Sequence, residues 1–153
     1  NDFSKIEEIV SKNYNINKYK TSLKLSIEKA IDMMMLDNPK NKIEYENISK
    51  KVLKVDLELF ALAIKNLLDN GVKYSNDKKV KIEENGNELY IISKGKKLEK
   101  PLEEYFQAYH NETEAKNHGM GLGLYIVHEI LKIHKMNLSY EYQEDNNIFK
   151  ISF

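Results

Sequence analysis

The sequence predicts an α+β fold, a two-layer α/β sandwich in which helices cover one face of a mixed β-sheet. Three segments carry apolar residues at helical spacing, and two pairs of alternating segments flank strong turn signals. Because short turns join most predicted strands to their neighbours, the helices should collect on one face of the sheet.

The composition is that of one globular domain. The chain has 153 residues, of which 41% are hydrophobic and 31% charged. Basic and acidic side chains number 24 each, whereas a nucleic-acid-binding domain should carry a basic excess. Cysteine is absent, which excludes disulfides and cysteine nucleophiles. No apolar run approaches the roughly 18 residues of a membrane span, so we expect no direct membrane contact by this fragment.

The first 20 residues are polar and weakly periodic. We expect residues 1–20 to be a connector from an upstream domain, or the frayed end of a preceding element. The chain starts without an initiator methionine or a signal peptide, which we interpret as a boundary inside a longer protein. The predicted domain therefore covers residues 21–153.

The first half of that domain contains two predicted helices. One runs from about Leu23 to Leu36, where a following Asn-Pro ends it. Short strands are predicted over 43–47 and 52–55, because apolar and charged residues alternate there. Asp56 is suited to cap the second helix, which runs to about Tyr74.

The second half contains two predicted hairpins and a third helix. Residues 80–82 and 89–91 alternate on either side of Asn85-Gly86, and a closing hairpin is predicted over 138–153. The segment between them is polar and irregular until a helix begins at about Leu122 and runs to His134.

A glycine-rich loop precedes this third helix. Gly119, Gly121 and Gly123 fall within five residues, and glycine lets the backbone come close to a ligand. Exposed amides at a helix N-terminus form a phosphate site. The alternative is a turn that lets the helix pack closely on the sheet. The glycine spacing matches neither a Rossmann loop nor a P-loop.

A polar stripe marks the second predicted helix. Asn66, Asn70 and Lys73 share a helix face that differs from the apolar face. Amide oxygens can bind Mg²⁺, and a lysine can add its charge to a phosphate. The alternative is an ordinary solvated face.

Together, these two motifs resemble the ATP-binding domain of sensor histidine kinases. Residues 66–75, Asn-Leu-Leu-Asp-Asn-Gly-Val-Lys-Tyr-Ser, resemble the N box, and residues 119–127, Gly-Met-Gly-Leu-Gly-Leu-Tyr-Ile-Val, resemble the G2 box. Residues 105–110 resemble a degenerate F box. The resemblance covers about residues 23–153 and implies the GHKL fold of gyrase, heat-shock chaperones, histidine kinases and mismatch-repair ATPases.

The resemblance implies ATP and Mg²⁺ as ligands. It assigns the metal and the triphosphate to Asn66 and Asn70, places Lys73 on phosphate and Tyr74 near the nucleotide, and makes Asn70 and Lys73 the catalytic candidates. The phosphate-facing end of the ATP lid would comprise Gly119, Gly121, Leu122, Gly123 and Leu124. The lid itself would extend over about residues 107–118, with Phe106 and Tyr109 as its anchors.

The base-binding end departs from the family pattern. The G1 box is Asp-x-Gly-x-Gly, whereas this chain has Ser-Lys-Gly-Lys-Lys over 93–97, followed by Leu98. Ser93, Gly95 and Leu98 are the candidates for this end. Ser93 replaces the carboxylate that accepts a hydrogen bond from adenine, a loss of about 1–3 kcal/mol. We therefore expect weak ATP affinity or relaxed base selectivity. Gly71 stands where the family usually has Ala, which costs up to about 1 kcal/mol of helix propensity.

The first N-box residue favours phosphoryl transfer over hydrolysis. Hydrolytic relatives carry a Glu there to activate water, and the amide of Asn66 cannot take up a proton. We therefore expect transfer to a histidine on an upstream dimerisation and phosphoacceptor domain. His128 is not the predicted acceptor, because it lies inside the helix that the glycine loop opens.

Two alternatives to a histidine kinase stay open. One is a degenerate nucleotide-binding or interaction module without catalysis, suggested by Ser93 and Lys97. The other is a stand-alone protein kinase or ATPase of the same fold. For a histidine kinase fragment, we expect a cytoplasmic monomer that reaches its response regulator indirectly.

Overall fold

The computed structural model describes residues 2–11, 14–107 and 121–153. Its α-helices in these ranges are α1 Asp2–Val10, α2 Leu23–Met33, α3 Leu57–Tyr74 and α4 Gly121–Ile133. Its strands there are β1 Tyr19–Ser22, β2 Ile43–Tyr45, β3 Val52–Val55, β4 Val80–Asn85, β5 Glu88–Lys94, β6 Asn137–Gln143 and β7 Asn146–Ser152. Short 3-10 helices span Pro39–Asn41 and Leu102–Phe106. No helix within the described ranges is both long and apolar enough to cross a membrane.

The main sheet is mixed and five-stranded, in the order β2-β4-β5-β7-β6. β2 runs parallel to β4, and the other neighbours are antiparallel. Both predicted hairpins form, and the turn between β6 and β7 has positive φ at Glu144 and Asp145, as two-residue hairpin turns require. The predicted α+β two-layer sandwich is confirmed.

One predicted strand lies outside the main sheet. β3 pairs antiparallel with β1 in a separate two-stranded sheet, where Thr21 lies opposite Leu53. β1 was not predicted, because its four residues alternate too briefly to be distinguished from a polar segment. This small sheet leads directly into Asp56 and α3.

The core lies between the helix layer and the inner face of the main sheet. α3 is at the centre of the helix layer, with α2 on one side and α4 on the other. Alternate residues of the sheet point toward these helices and are buried: Val80, Ile82, Leu89, Ile91, Phe149 and Ile151. The helices contribute Ile27, Ala30, Phe60, Ile64, Leu67, Val127 and Ile130.

The two ends of α3 depend on specific residues. Asp56 caps its N-terminus as predicted, because its Oδ1 accepts a hydrogen bond of 3.1 Å from the Leu59 amide. Near the other end, Gly71 packs directly on β4, and a Cβ there would overlap Cγ2 of Val80. Gly71 lowers the helix propensity of α3, but α3 needs a glycine here because only glycine lets it approach the sheet this closely.

The N-terminal segment packs on the domain. Ile6 and Ile9 of α1 are buried, and α1 contacts α4. Lys5 pairs with Glu58 at 3.8 Å on the surface. α1 thus shares the apolar core of the domain, and its assignment to an upstream connector stays a prediction.

Candidate nucleotide-binding site

Two predicted motifs meet where α3 and α4 run side by side. A Cβ built on Gly123 would lie 3.4 Å from Oδ1 of Asn66 and 3.4 Å from Oδ1 of Asn70. Both amide oxygens therefore face the same point on the first turn of α4. Gly119 lies outside the described residues, so this statement covers only the later part of the glycine loop.

Asn66 is held with its oxygen toward α4. The residue is 7% exposed, and its Nδ2 donates a hydrogen bond of 2.9 Å to the Leu62 carbonyl one turn earlier. That bond uses the donor side of the amide, and within the described ranges no hydrogen bond occupies Oδ1, which faces Gly123. A buried oxygen in this orientation is a ligand suited to a hard cation.

Asn70 carries an unpaired donor. Its Nδ2 is buried and has no hydrogen-bond partner among the described residues, although a buried donor left unpaired costs about 1–3 kcal/mol. A phosphate oxygen would accept from this nitrogen, while Oδ1 of Asn70 joins that of Asn66. The two oxygens and the free donor therefore fit a hydrated divalent cation bound to a triphosphate.

The start of α4 supplies backbone donors. α4 begins at Gly121, and the first amides of a helix have no partner within the helix. These amides and the helix dipole favour an anion at this end. The side chain of Leu124 is fully buried in the core, so Leu124 can meet a ligand only through its backbone.

Lys73 and Tyr74 lie at the solvent-exposed end of α3. Both residues are exposed, Tyr74 by 40%. The Lys73 ammonium lies 5.2 Å from the centre of the Tyr74 ring, a cation–π contact. The predicted contact of Lys73 with phosphate thus stays a prediction.

The predicted base-binding residues line a narrow cleft beside α3. Asn70, Tyr74, Ser93 and Leu98 border the same cleft, whose volume is about 30 Å³, room for about one water molecule. A purine would require the half-exposed side chains at its rim to move. Gly95 lies close by, where a Cβ would come within 3.0 Å of the Tyr74 carbonyl oxygen.

Asn147 belongs to this cleft and was not predicted from the sequence. It lies opposite Ser93 in the pairing of β5 with β7, on the inner face of the sheet. Its Nδ2 donates to the Lys96 carbonyl at 2.9 Å, and its Oδ1 accepts from the Tyr140 hydroxyl. That hydroxyl accepts from the Leu98 amide at 3.1 Å. Buried residues alternate with more exposed ones along the last strand, and Asn147 lies two positions before the buried Phe149. This spacing could have indicated that Asn147 faces the inner side of the sheet.

His128 is a packing partner of Phe106. The two rings stack with centroids 4.0 Å apart and planes 9° apart. The pKa of His128 is lowered, chiefly by burial; Glu129 opposes this effect and Lys132 adds to it. The contact fixes the segment before the predicted lid to α4. The lid and its second predicted anchor, Tyr109, lie outside the described residues.

The larger grooves offer weaker candidate sites. Two grooves of about 660 and 1140 Å³ border β2, and Ser93 is the one predicted site residue among those that line them. No group of three or more His, Asp or Glu side chains within the described ranges could hold a metal ion. The asparagine and glycine convergence is therefore the best-supported site.

Comparisons with known proteins identify the family of the chain. Residues 55–152 match the family model of histidine kinase-, DNA gyrase B- and HSP90-like ATPases. The chain belongs to this family. It is 37% identical over 150 residues to the sensor histidine kinase ArsS of Helicobacter pylori, covering 97% of this chain and 35% of ArsS. It is 24% identical over 137 residues to the sensor histidine kinase HprS of Escherichia coli, covering 86% of this chain and 30% of HprS.

A solved structure shows the same fold. The Acinetobacter baumannii histidine kinase AdeS matches with a TM-score of 0.73 at 22% identity, over 99% of this chain and 74% of that chain. The chain spans about a third of the length of the curated relatives that it matches. Membership of the histidine kinase-, DNA gyrase B- and HSP90-like ATPase family is what the sequence motifs predicted.

Proposed function

We propose that this domain binds ATP with Mg²⁺ and transfers the γ-phosphoryl group to a histidine on a separate dimerisation and phosphoacceptor domain. The observation that carries the proposal is the convergence of Asn66 and Asn70 on Gly123. The sensor histidine kinases among the relatives support the same reaction class.

Residues of α3 and α4 bind different parts of the ligand. Oδ1 of Asn66 and Oδ1 of Asn70 hold the hydrated metal ion, and Nδ2 of Asn70 donates to a phosphate oxygen. Mg²⁺ bound there supplies charge neutralisation for the phosphate oxygens. Lys73 adds a point charge from the end of α3. The remaining contacts come from the amides at the start of α4 and the preceding loop: Gly119, Gly121, Leu122, Gly123 and Leu124.

The asparagines leave attacking water without a general base. The amide of Asn66 stays neutral and cannot accept a proton from water, and it is buried at 7% exposure. Phosphoryl transfer needs mainly positioning and charge stabilisation. This arrangement therefore supports transfer to an incoming nucleophile over hydrolysis.

The base occupies the cleft beside α3. Tyr74, Ser93, Gly95 and Leu98 form its surroundings. The Ser93 hydroxyl gives a weaker and shorter-reaching acceptor than the family's carboxylate. ATP affinity is then low, or base selectivity is relaxed, and competition between ATP and GTP measures which. Tight binding of adenine nucleotides alone would contradict this part of the proposal.

The two parts of the chain have different roles. Residues 1–20 connect it to the upstream dimerisation and phosphoacceptor domain, and residues 21–153 form the catalytic domain. The fragment alone is a cytoplasmic monomer, and it reaches the response regulator only through the phosphorylated histidine.

A second candidate is a nucleotide-binding or interaction module that has lost catalysis. Ser93 and Lys97 in place of the G1 carboxylate and glycine support this alternative, and so does the small volume of the base cleft. Such a module would retain the fold and part of the nucleotide affinity.

A transfer assay separates these candidates. The domain is mixed with a separately produced helical segment that bears the phosphoacceptor histidine of the same kinase, together with ATP labelled at the γ-phosphate. Acid-labile, base-stable label on the helical segment supports the proposal. Nucleotide binding without transfer supports the degenerate module, and release of free phosphate alone supports an ATPase. In the same assay, Asn70→Asp removes the Nδ2 donor and should reduce transfer. Asp69→Asn is its control, because Asp69 pairs with Lys65 at 3.0 Å on the outer side of α3.

A further inference from the structure

The helix pair that holds the asparagines is also joined at its opposite end. The backbone amide of Asp56, the N-cap of α3, donates a hydrogen bond of 3.0 Å to Nε2 of His134, the residue that follows α4. Because an amide can only donate, Nε2 is the acceptor and Nδ1 carries the ring proton. Nδ1 then donates to the Ile130 carbonyl at 2.8 Å. The ring is 9% exposed, so both nitrogens are buried and paired.

The chain before β1 is tied to the same junction. The Asn17 amide donates to Oδ2 of Asp56 at 3.1 Å, while Oδ1 of Asp56 caps α3. The Lys18 ammonium donates to the Ile133 carbonyl at 2.8 Å, at the C-terminus of α4. Three segments that lie far apart in the sequence thus share one polar junction.

The junction and the asparagine site are the two ends of one antiparallel helix pair. Asn66 lies ten residues from Asp56, and Gly123 lies eleven residues from His134. At 1.5 Å per residue these separations are roughly 15–17 Å along each helix. Close-packed protein interiors such as the contact between α3 and α4 have low compressibility and transmit strain. A displacement of α3 against α4 at the junction would therefore change the contact of Asn66 and Asn70 with Gly123.

We infer that His134 is a positioning residue for the nucleotide site, because its neutral ring holds the start of α3 and thereby fixes how closely Asn66 and Asn70 approach Gly123. The inference rests on the proposed function of these asparagines. His134 itself touches no part of that site.

Protonation would break this contact. A proton on Nε2 would place two donors, the ring N–H and the Asp56 amide, against each other. The charged groups that act on the ring are Lys18 from the preceding segment and Asp56 from α3. The pKa of His134 is lowered chiefly by burial; the Ile130 carbonyl opposes this, Lys18 adds to it and Asp56 opposes it. Tyr14 lies near Asp56, but its pKa is raised by burial and by neighbouring carboxylates, so it stays neutral in this range.

Two substitutions separate positioning from packing. His134→Gln offers an amide oxygen to the Asp56 N–H, whereas His134→Leu fills similar space without an acceptor. The measurement is the Kd for ADP with Mg²⁺ by titration calorimetry at pH 7.5, on the whole fragment, beside a thermal unfolding curve for each variant. We expect His134→Leu to raise the Kd about tenfold and His134→Gln to restore most of the affinity. A His134→Leu variant that is folded and binds with the wild-type Kd would overturn the inference.

The pH dependence of the Kd distinguishes positioning from a purely structural role, because a purely structural role would leave it unchanged. The ratio of wild-type Kd to His134→Gln Kd is measured from pH 8 to pH 5, so that protonation of the nucleotide cancels. We expect a constant ratio down to at least about pH 6.5, because the pKa of His134 is lowered. At lower pH, where the ring takes up a proton, the ratio should rise together with a shift of the Asp56 amide resonance. A ratio that stays flat while the Asp56 amide resonance shifts would overturn the inference, even if His134→Leu fails to fold.

Failure of this inference differs from failure of the proposed function. If Asn70→Ala leaves the Kd for ADP with Mg²⁺ unchanged, the proposed site itself is wrong. If Asn70→Ala abolishes binding and both His134 tests are flat, only the positioning role is wrong.

Discussion

The two ends of the α3–α4 pair differ in how their polar groups are satisfied. At the junction, the Asp56 amide, both Asp56 carboxylate oxygens and both His134 ring nitrogens have partners. At the asparagine end, Nδ2 of Asn70 is buried and has no partner in the part of the chain that the structure describes. Buried polar groups in native proteins are nearly always paired. The junction is therefore complete without a ligand, whereas at the asparagine end a ligand would supply the missing hydrogen-bond acceptor, as the proposed function requires.

Replacing Asn70 should produce the largest effect on binding. Asn70→Ala removes one oxygen and one donor to a charged ligand. We expect the Kd for ATP with Mg²⁺ to rise by more than about 100-fold, since two contacts are lost and such bonds contribute about 1.5–3 kcal/mol each. Stability should stay the same or increase, because the unpaired donor is gone. Calorimetric binding and urea unfolding measure the two quantities.

Asp69→Ala is the matched control for Asn70, since Asp69 is its neighbour on α3 and pairs on the outer side with Lys65. If the Asn70→Ala variant binds with wild-type affinity or loses much of its stability, the two ends of the α3–α4 pair do not differ as proposed.

Gly71 tests whether α3 is positioned by close contact with the sheet. In Gly71→Ala the new Cβ would overlap the buried Val80 side chain, and overpacking costs about 1–3 kcal/mol. We expect a net loss of unfolding free energy in urea, although Ala favours the helix by about 1 kcal/mol. Combining it with Val80→Ala should relieve the overlap. Stabilisation by Gly71→Ala alone would show that helix propensity decides at this position.

Replacing Gly123 tests whether the ligand uses the space between the two asparagines and α4. Gly123→Ala places a methyl group 3.4 Å from both amide oxygens, which is ordinary contact and leaves the fold intact. The methyl group occupies the side on which the ligand binds, so we expect the Kd for ATP with Mg²⁺ to rise about tenfold, or about 1.4 kcal/mol. The thermal midpoint should not fall, because Ala is the better helix former. Unchanged affinity would mean that the ligand does not use this space.

The smallest expected effect concerns the junction and pH. The folded-state pKa values of His134 and His128 are lowered, so below about pH 6.5 the unfolded chain binds more protons than the folded one. The unfolding free energy should therefore be constant from pH 8 to about 6.5 and decrease as the pH falls further. Urea unfolding at pH 7.5 and 5.5 measures the decrease, and His134→Gln should reduce it. Greater stability at pH 5.5 than at 7.5 in the wild type, with no difference in the variant, would contradict the neutral, paired ring.

Local patterns predicted the parts of the site that lie close together in the sequence. Asn66 and Asn70 are one helical turn apart, and the glycines of the loop stand at every second position, so helical periodicity and glycine spacing were sufficient to single them out. The hairpin around Gly86 likewise follows from turn chemistry at neighbouring residues.

The remaining features depend on pairings between distant residues. Asp56 and His134 are 78 positions apart, and Asn147 meets Ser93 only through the register of β5 with β7. The overlap that makes Gly71 necessary involves Val80 on another element. Periodicity within one segment carries no information about such contacts, so they required the three-dimensional structure.

Calorimetric titration of ATP, with and without Mg²⁺, tests the central claim most directly when the wild type is compared with the double variant Asn66→Ala, Asn70→Ala. We predict that Mg²⁺ strengthens ATP binding to the wild type. The double variant should stay folded but lose both its affinity for ATP and the dependence of that affinity on Mg²⁺. Equal affinity and equal Mg²⁺ dependence in the two proteins would contradict it.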